Sequence, residues 1–256
     1  MDKTELIDSE VHDAAAFSAT FRDIARVNRF LGGTQAVLAA LAPLIRNVAR
    51  AKLPGEPVRI LDIGTGSADI PRSILHASDA GRIPGVSGCP ITIHATDTHS
   101  KVLAIAKTLT PPSKYPSITI GTADALKLPF ADGAFDIALC SMMLHHFGPD
   151  DCVRILREMD RVTTAGFVVN DLIRSRRAAS LVALWTRLTF AHRLTKHDAP
   201  TSVMRAYLIH EYAALAAAAG LVGSVVRRVP LYRAVIIHPK SHPAGSSASG
   251  TSSERE

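Results

Sequence analysis

The chain has 256 residues, of which 47% are hydrophobic and 20% charged, so it can bury the core of one full α/β domain. Its net charge is +6, but only 5% of its residues are aromatic, and a basic groove with interleaved stacking rings for nucleic acid is therefore not expected. The three cysteines have no Cys-x-x-Cys spacing, which argues against a disulfide framework or a metal site.

Cysteine usage and the N-terminal segment together predict a cytoplasmic protein. An odd number of unpatterned cysteines is typical of a reducing compartment. Residues 1–10 are acidic and polar, where a signal peptide would be basic and then apolar, and no apolar run reaches the length of a bilayer span.

The first 53 residues are predicted to form an N-terminal helical extension. Apolar residues recur at helical spacing over 14–27 and 35–51, with Gly32 and Gly33 between the two helices and Thr34 placed to cap the second. The extension also contains three large apolar residues that either cover a bound ligand or only pack against the core, namely Phe21, Phe30 and Leu31.

A buried strand that runs into a glycine turn and then a helix follows the extension. Residues 58–63 are rich in β-branched and apolar side chains, and Gly64 and Gly66 let the backbone come close to a ligand at the N-terminus of the next helix. Asp62, directly before the glycines, would repel a pyrophosphate but suits a ligand with a cationic or amine end. Asp69 stands where a dinucleotide fingerprint has its third glycine, which disfavours NAD.

Strands and helices alternate over 54–238, which is typical of a doubly wound parallel sheet. Residues 172–210 interrupt this alternation with arginines and then apolar residues, and they are predicted to form a helical insertion over the substrate. A helix over 211–220 and a hairpin of 222–229 and 231–237 follow, and the serine-rich residues 239–256 are predicted to be disordered. The other predicted strands are 90–97, 117–120, 134–140 and 165–171, and the helices between them are 68–79, 98–109 and 149–162.

Two further carboxylates follow the second and third predicted strands. Asp97 ends the second strand, where a carboxylate can accept both hydroxyls of a ribose. Asp124 lies beyond the third strand, where it can accept a hydrogen bond from an adenine amino group. A single aspartate after a strand is commonly only a helix cap or turn former, but three in this order favour a nucleoside site.

This ordered set resembles the class I S-adenosylmethionine (SAM) methyltransferase family over residues 58–171. The resemblance implies a Rossmann-like seven-stranded sheet with six parallel strands and the last antiparallel, helices on both faces, and SAM as the cofactor. The chain departs from the family pattern at two places. Ala68 stands where many relatives have a third glycine, and residues 163–166 contain one glycine where relatives often have a pair. Carried over by position, the cofactor-binding residues would be Asp62, Gly64, Thr65, Gly66, Asp97, Thr98, Ala123, Asp124, Ala125 and Ser141.

The residues after the fourth strand indicate the type of acceptor. Methyltransferases of nucleic-acid bases often carry an Asn/Asp-Pro-Pro-aromatic motif there, whereas residues 141–147 of this chain read Ser-Met-Met-Leu-His-His-Phe. That form resembles small-molecule methyltransferases of quinone and polyketide tailoring. His145 and His146 are candidate general bases, unless the pair only shapes the cofactor pocket. Asp171 is the next catalytic candidate, with Asn170 beside it as a further polar candidate.

The expected function is direct in-line transfer of a methyl group to an oxygen of a phenolic or quinone-like small molecule. Carbon methylation of a similar acceptor is the close alternative, and an NAD-dependent oxidoreductase and a non-catalytic SAM-binding module are the others. The expected partner is an apolar or aromatic small molecule, nucleic acid is not expected, and a homodimer stays open.

Within the insertion, His192 and His197 are additional candidates to face the acceptor. Four apolar residues there either line an acceptor pocket or anchor the insertion to the core, namely Leu181, Leu184, Trp185 and Leu188.

Overall fold

A computed structural model describes residues 14–30, 32–83, 86, 88–189 and 192–240. Leu31, the first thirteen residues and the predicted tail beyond Lys240 lie outside this part, as do the side chains of residues 14–18, 27, 29 and 30. The proposed division into an extension over 1–53, a domain over 54–238 with an insertion over 172–210, and a tail stays a prediction.

Seven strands form one sheet in the order β3-β2-β1-β4-β5-β7-β6. β7 runs antiparallel to both of its neighbours, β5 and β6, and the other six strands are parallel to one another. The predicted sheet is therefore confirmed. The strands are β1 (Val58–Ile63), β2 (Ile91–Asp97), β3 (Ile118–Thr122), β4 (Phe135–Ser141), β5 (Thr163–Leu172), β6 (Val225–Val229) and β7 (Arg233–Pro239).

Helices cover both faces of the sheet, as predicted. Alternate residues of one strand point to opposite faces, so Ile60 of β1 lies in a core with helices α2 and α3, while Leu61 lies in a second core with α5 and α8. Burial on both faces explains why the inner strands are almost continuously apolar. The helices are α1 (Ala14–Phe30), α2 (Gly33–Ala51), α3 (Asp69–Asp79), α4 (Ser100–Leu109), α5 (Pro149–Arg161), α6 (Arg176–Thr189), α7 (Arg193–Arg205) and α8 (Ile209–Ala218).

The predicted cap of α2 is wrong. Thr34 lies inside the first turn of the helix, and the N-cap is Gly32, whose φ of 69° is left-handed. The chain reverses direction between α1 and α2, and the reversal needs a residue that tolerates positive φ. Gly32 meets that requirement, so the helix starts one residue before the threonine.

The insertion after β5 contains two helices, α6 and α7, which pack against each other. α7 also contacts α1 and the short 3₁₀ helix Leu144–His146, so the N-terminal helix and the insertion meet above the sheet. In the described part of the chain, no helix has the length and apolar character needed to cross a membrane.

Candidate active site

A cavity of about 880 Å3 opens at the carboxyl ends of the parallel strands. It lies where the strand order reverses between β1 and β4, the place at which open α/β sheets bind their ligands. Its walls come from the turn after β1, from α1, α6 and α7, and from the turn between β6 and β7. The volume is at the upper end of the range for small-molecule sites, so it offers room for a nucleoside and an acceptor together.

The turn after β1 forms the floor of this cavity. Gly64 and Gly66 both have positive φ, 68° and 56°, which glycine adopts without strain. A Cβ atom on Gly64 would come within 2.5 Å of the Met143 sulfur, and one on Gly66 within 3.1 Å of the Phe21 ring. A side chain at either position would therefore have to displace Met143 or Phe21 in addition to straining the backbone, and Phe21 lies over the turn.

Ala68 adopts the conformation that a glycine would have at the same position. Its φ is 58°, its side chain is fully buried, and it precedes the first residue of α3. A left-handed alanine costs about 1–2 kcal/mol, so the alanine retains the geometry of the turn at the expense of some backbone strain.

Three carboxylates surround the glycine turn. Asp97 lines the cavity and accepts a hydrogen bond from the Gly66 backbone N–H at 3.1 Å. Asp69 also lines the cavity, at the start of α3. Asp62 is buried beneath the turn and does not line the cavity itself. The cluster gives the floor a negative field that favours a ligand with a cationic group.

The surroundings of Asp62 raise the pKa of its carboxyl group towards neutral pH. The pKa of Asp62 is raised to about 7, mainly by burial. A hydrogen bond with the Thr65 hydroxyl lowers this pKa, whereas the charges of Asp69 and Asp97 raise it. One Asp62 carboxylate oxygen is buried without a hydrogen-bond partner. A buried carboxylate in this state is stabilised by an approaching cation.

The predicted nucleoside-binding residues come together on one wall. Thr98, Ala123, Asp124 and Ala125 all line the cavity beside Asp97. Asp124 is exposed, and one of its oxygens accepts the Leu126 backbone N–H at 2.9 Å. It is therefore a turn former, and its position on the cavity wall also makes it available to a ligand.

His145 and Asp171 form a buried pair next to the cavity. The Nδ1 atom of His145 lies 2.6 Å from an Asp171 oxygen, and the His145 backbone N–H donates to the other oxygen at 3.1 Å. A third donor, the Leu172 backbone N–H, lies 2.7 Å from the same carboxylate. Burial would raise the pKa of Asp171, but the His145 ring and these N–H donors outweigh it, so the pKa lies below its usual value.

This arrangement assigns different roles to the two residues. Only His145 lines the cavity, because Asp171 lies behind it. An ionised Asp171 fixes a proton on Nδ1 of His145, and in the neutral ring Nε2 is then the basic nitrogen. Asp171 therefore holds the His145 ring in place without lining the cavity itself.

His146 and Ser141 also line the cavity. The rings of His145 and His146 are 4.3 Å apart between centroids, and the His146 carbonyl accepts a hydrogen bond from Arg205 at 3.0 Å. Asn170 donates to the Ser141 hydroxyl at 2.9 Å. Asn170 thus orients a cavity-lining hydroxyl, and the sequence offered no direct sign of that contact.

The apolar residues of α6 form one wall of the cavity. Leu181, Leu184, Trp185 and Leu188 all line it, and the three leucines are more than half exposed. The expectation that these residues anchor α6 to the core is therefore wrong for the leucines. Buried Ala178 and Thr186 fix the helix instead.

The two histidines of the insertion do not line the cavity. His192 Nδ1 lies 3.2 Å from the Thr20 hydroxyl and ties the start of α7 to α1, and the half-exposed His197 contacts Asp198 at 2.8 Å. Asp198 is the buried, cavity-lining member of that pair. A histidine is easier to single out in a sequence than the aspartate beside it, and here the helix turns the aspartate inward.

The turn between β6 and β7 supplies a wall that sequence reasoning missed. Leu231 and Tyr232 have φ values of 61° and 56°, and both line the cavity together with the buried Arg233. Met142, another lining residue, also has positive φ. Neither leucine, tyrosine nor methionine signals this conformation locally, and strained residues of this kind concentrate at functional sites.

Comparison with known proteins agrees with this architecture. A family model described as a methyltransferase domain matches residues 61–169, from β1 to β5. The human N-acetylserotonin methyltransferase, solved in complex with SAM, superposes with a TM-score of 0.59 over 89% of this chain and 56% of that chain, at 15% identity. At that identity the likeness concerns the fold.

Two curated relatives are demethylmenaquinone methyltransferases. The one from Chlorobaculum parvum is 30% identical over 119 residues, 46% of this chain and 42% of the relative. The one from Deinococcus radiodurans is 30% identical over 157 residues, 61% of this chain and 60% of the relative. The chain thus spans about half the length of the curated relatives that it matches. Residues 61–169 thus match a methyltransferase domain, and the sheet order is that of a fold also found in a SAM-dependent methyltransferase.

Proposed function

We propose that the protein methylates an oxygen of a phenolic or quinone-like small molecule, with His145 as the general base. The observation that supports this most strongly is the 2.6 Å contact between His145 and the buried Asp171 at the cavity wall. The names of the two curated relatives describe enzymes that act on a quinone, demethylmenaquinone, which agrees with such an acceptor.

The residues around the glycine turn suit the cofactor of the family. SAM, when bound, supplies an electrophilic methyl group on a positively charged sulfur. Asp69 and Asp97 line the cavity with carboxyl groups that favour such a ligand, and Asp62, one of whose oxygens has no hydrogen-bond partner, would ionise as the positive charge approaches. Asp97 would hold the ribose, and Ala123, Asp124 and Ala125 the adenine. NAD-dependent oxidoreduction is set aside, because the family match is to methyltransferases.

The chemistry required of the protein is alignment, exclusion of water and removal of one proton. A phenol loses its proton near pH 10, so at neutral pH an imidazole within hydrogen-bond reach accelerates transfer by accepting that proton. Asp171 keeps the Nδ1 proton in place and stabilises the imidazolium that forms. Val182 and Trp185, the half-buried lining residues of α6, exclude water from the acceptor.

Oxygen and carbon methylation share this first step. Removing the hydroxyl proton of a phenol or hydroquinone places negative charge on the oxygen and on the ring carbons ortho and para to it. If one of these carbons receives the methyl group, it then loses its own proton to solvent and the ring becomes aromatic again. The orientation of the ring in the cavity then decides which atom receives the methyl group. Carbon methylation is therefore the second candidate, with the same base.

The His145→Gln variant tests this proposal, because glutamine retains a polar side chain but cannot accept the proton. Methyl transfer from isotope-labelled SAM to a panel of phenols and hydroquinones is measured by mass spectrometry, and NMR of the product distinguishes an O-methyl from a ring methyl group. We expect kcat to fall by about 10²- to 10⁴-fold with SAM affinity retained.

Two further variants make the result specific. Asp171→Asn should also lower kcat and should change its pH profile, because the Nδ1 proton of His145 is no longer held by a carboxylate. His210→Gln is the control, since His210 is exposed on α8 and does not line the cavity. A kcat that stays within tenfold of the wild type in His145→Gln would mean that the histidine only shapes the pocket.

A further inference from the structure

One face of α6 exposes a continuous row of leucines to solvent. Leu181, Leu184 and Leu188 are 60%, 57% and 76% exposed, and their spacing of three and seven residues places them on the same side of the helix. We call this row the α6 leucine stripe. Single exposed leucines are ordinary, whereas three on one helix face mark a surface that binds something apolar.

Arginines flank the stripe at both ends, and α6 contains no acidic residue. Arg177 lies one turn before Leu181 on the same face, Arg187 adjoins Leu188, and Arg176 and Arg193 stand just beyond them. All four arginines are exposed. An apolar stripe with a basic border is the composition of helices that lie in the interface of an anionic membrane.

The stripe is also continuous with the cavity. The same three leucines line its mouth, and Trp185 and Val182 continue the apolar lining inward from them. A surface that contacts the stripe therefore lies directly against the opening through which an apolar acceptor enters.

From these three observations we propose that the α6 leucine stripe docks the protein on an anionic lipid surface. The leucines enter the boundary of the acyl chains, and the flanking arginines contact the lipid phosphates. The basic arginine border complements an anionic lipid surface and would repel a second copy of the same face. Docking needs neither SAM nor an acceptor, so it stands apart from the proposed reaction.

Binding of the full chain to vesicles tests the proposal without any substrate. Vesicles of phosphatidylcholine mixed with phosphatidylglycerol are compared with pure phosphatidylcholine by co-sedimentation. Trp185 is the single tryptophan of the chain and lies on α6, so quenching of its fluorescence by brominated acyl chains reports contact at this helix. We expect binding to the anionic vesicles, with quenching.

Matched substitutions localise the contact. Leu188→Gln should weaken binding about tenfold, and Leu53→Gln should leave it unchanged. Leu53 is 75% exposed, against 76% for Leu188, and it precedes β1 at the amino ends of the parallel strands, opposite the end at which the cavity opens. Arg187→Gln should weaken binding about fivefold, because a basic residue near an anionic surface contributes ~1 kcal/mol, with Arg50→Gln as its control.

Three results would overturn the proposal. The first is no binding of the wild type to anionic vesicles, and the second is equal loss of binding in Leu188→Gln and Leu53→Gln. The third is a dimer in solution that the Leu188→Gln substitution dissociates, together with no binding to vesicles. In that case a second copy of the chain would occupy the stripe.

Discussion

Asp62 shows how a single residue couples ligand binding to protonation. It is buried under the glycine turn, its pKa is about 7, and two neighbouring carboxylates oppose its ionisation. In the free protein it is therefore largely protonated below pH 7. Because its pKa in the unfolded chain is near 3.8, the fold loses stability as the pH rises from about 4 to about 7.

A cationic ligand should reverse this effect by lowering the pKa of Asp62. We expect binding to release one proton, so SAM affinity should increase by up to about tenfold for each unit by which the pH is raised towards 7, and it should level off above pH 7. Calorimetry at pH 6 to 6.5 (about half a unit or more below that pKa) in two buffers of different ionisation enthalpy measures the proton count. The Asp62→Asn variant should lose the pH dependence, and a wild type that releases no proton would contradict the assignment.

Single residues also show what the sequence could and could not predict. The glycine turn and its aspartate were predictable, because strand, turn and helix are consecutive in the chain. His145 and Asp171 were both identified as candidates, but their contact joins residues 26 apart and depends on β4 and β5 lying side by side. The left-handed Leu231 and Tyr232 had no local signal, since their conformation is imposed by the hairpin around them.

Among the secondary-structure elements, the pairing of β5 with β7 depends most on one residue, Gly166. Its φ is 112°, and a Cβ atom there would overlap the carbonyl oxygen of His238 in β7. Relatives often have a glycine pair before this strand, and the chain keeps one glycine where the two backbones approach each other. The departure at 163–166 therefore affects the pairing of strands in the sheet, because Gly166 lies within β5.

Gly166→Ala should destabilise the protein far more than a typical glycine substitution. Gly220→Ala is the control, because Gly220 also has positive φ, 82°, but has open space around its Cβ position. We expect the control to cost about 1–2 kcal/mol and Gly166→Ala at least twice as much, because the β5–β7 pairing must separate. Urea unfolding followed by circular dichroism measures both, and equal losses would show that the strands can shift apart at no cost.

At the scale of the whole molecule, the reactivity of the three cysteines measures how often the buried parts of the fold open to solvent. Cys140 lies inside β4 and Cys152 inside α5, and burial raises the pKa of both thiols, to about 11 for Cys152. Cys89 is only half-buried, in the loop before β2. Since the thiolate is the reactive form, burial protects two of the three cysteines both sterically and chemically.

We therefore expect one thiol to react with Ellman's reagent in the native protein and three in denaturant. Cys89→Ser should abolish the fast reaction, and the remaining two thiols should react only at the rate of unfolding. A second fast thiol in the native state would indicate that α5 opens away from the sheet without global unfolding.

The place of β7 between β5 and β6 has a consequence for biosynthesis. A ribosome delivers the chain from its N-terminus, so β6 emerges before the strand that joins it to the sheet. Until Arg233–Pro239 is released, β5 remains an open edge and β6 has no neighbour in the sheet. The Leu231 and Tyr232 wall of the cavity arrives with the same residues. A nascent chain thus completes its sheet and the last wall of its binding cavity in one late step.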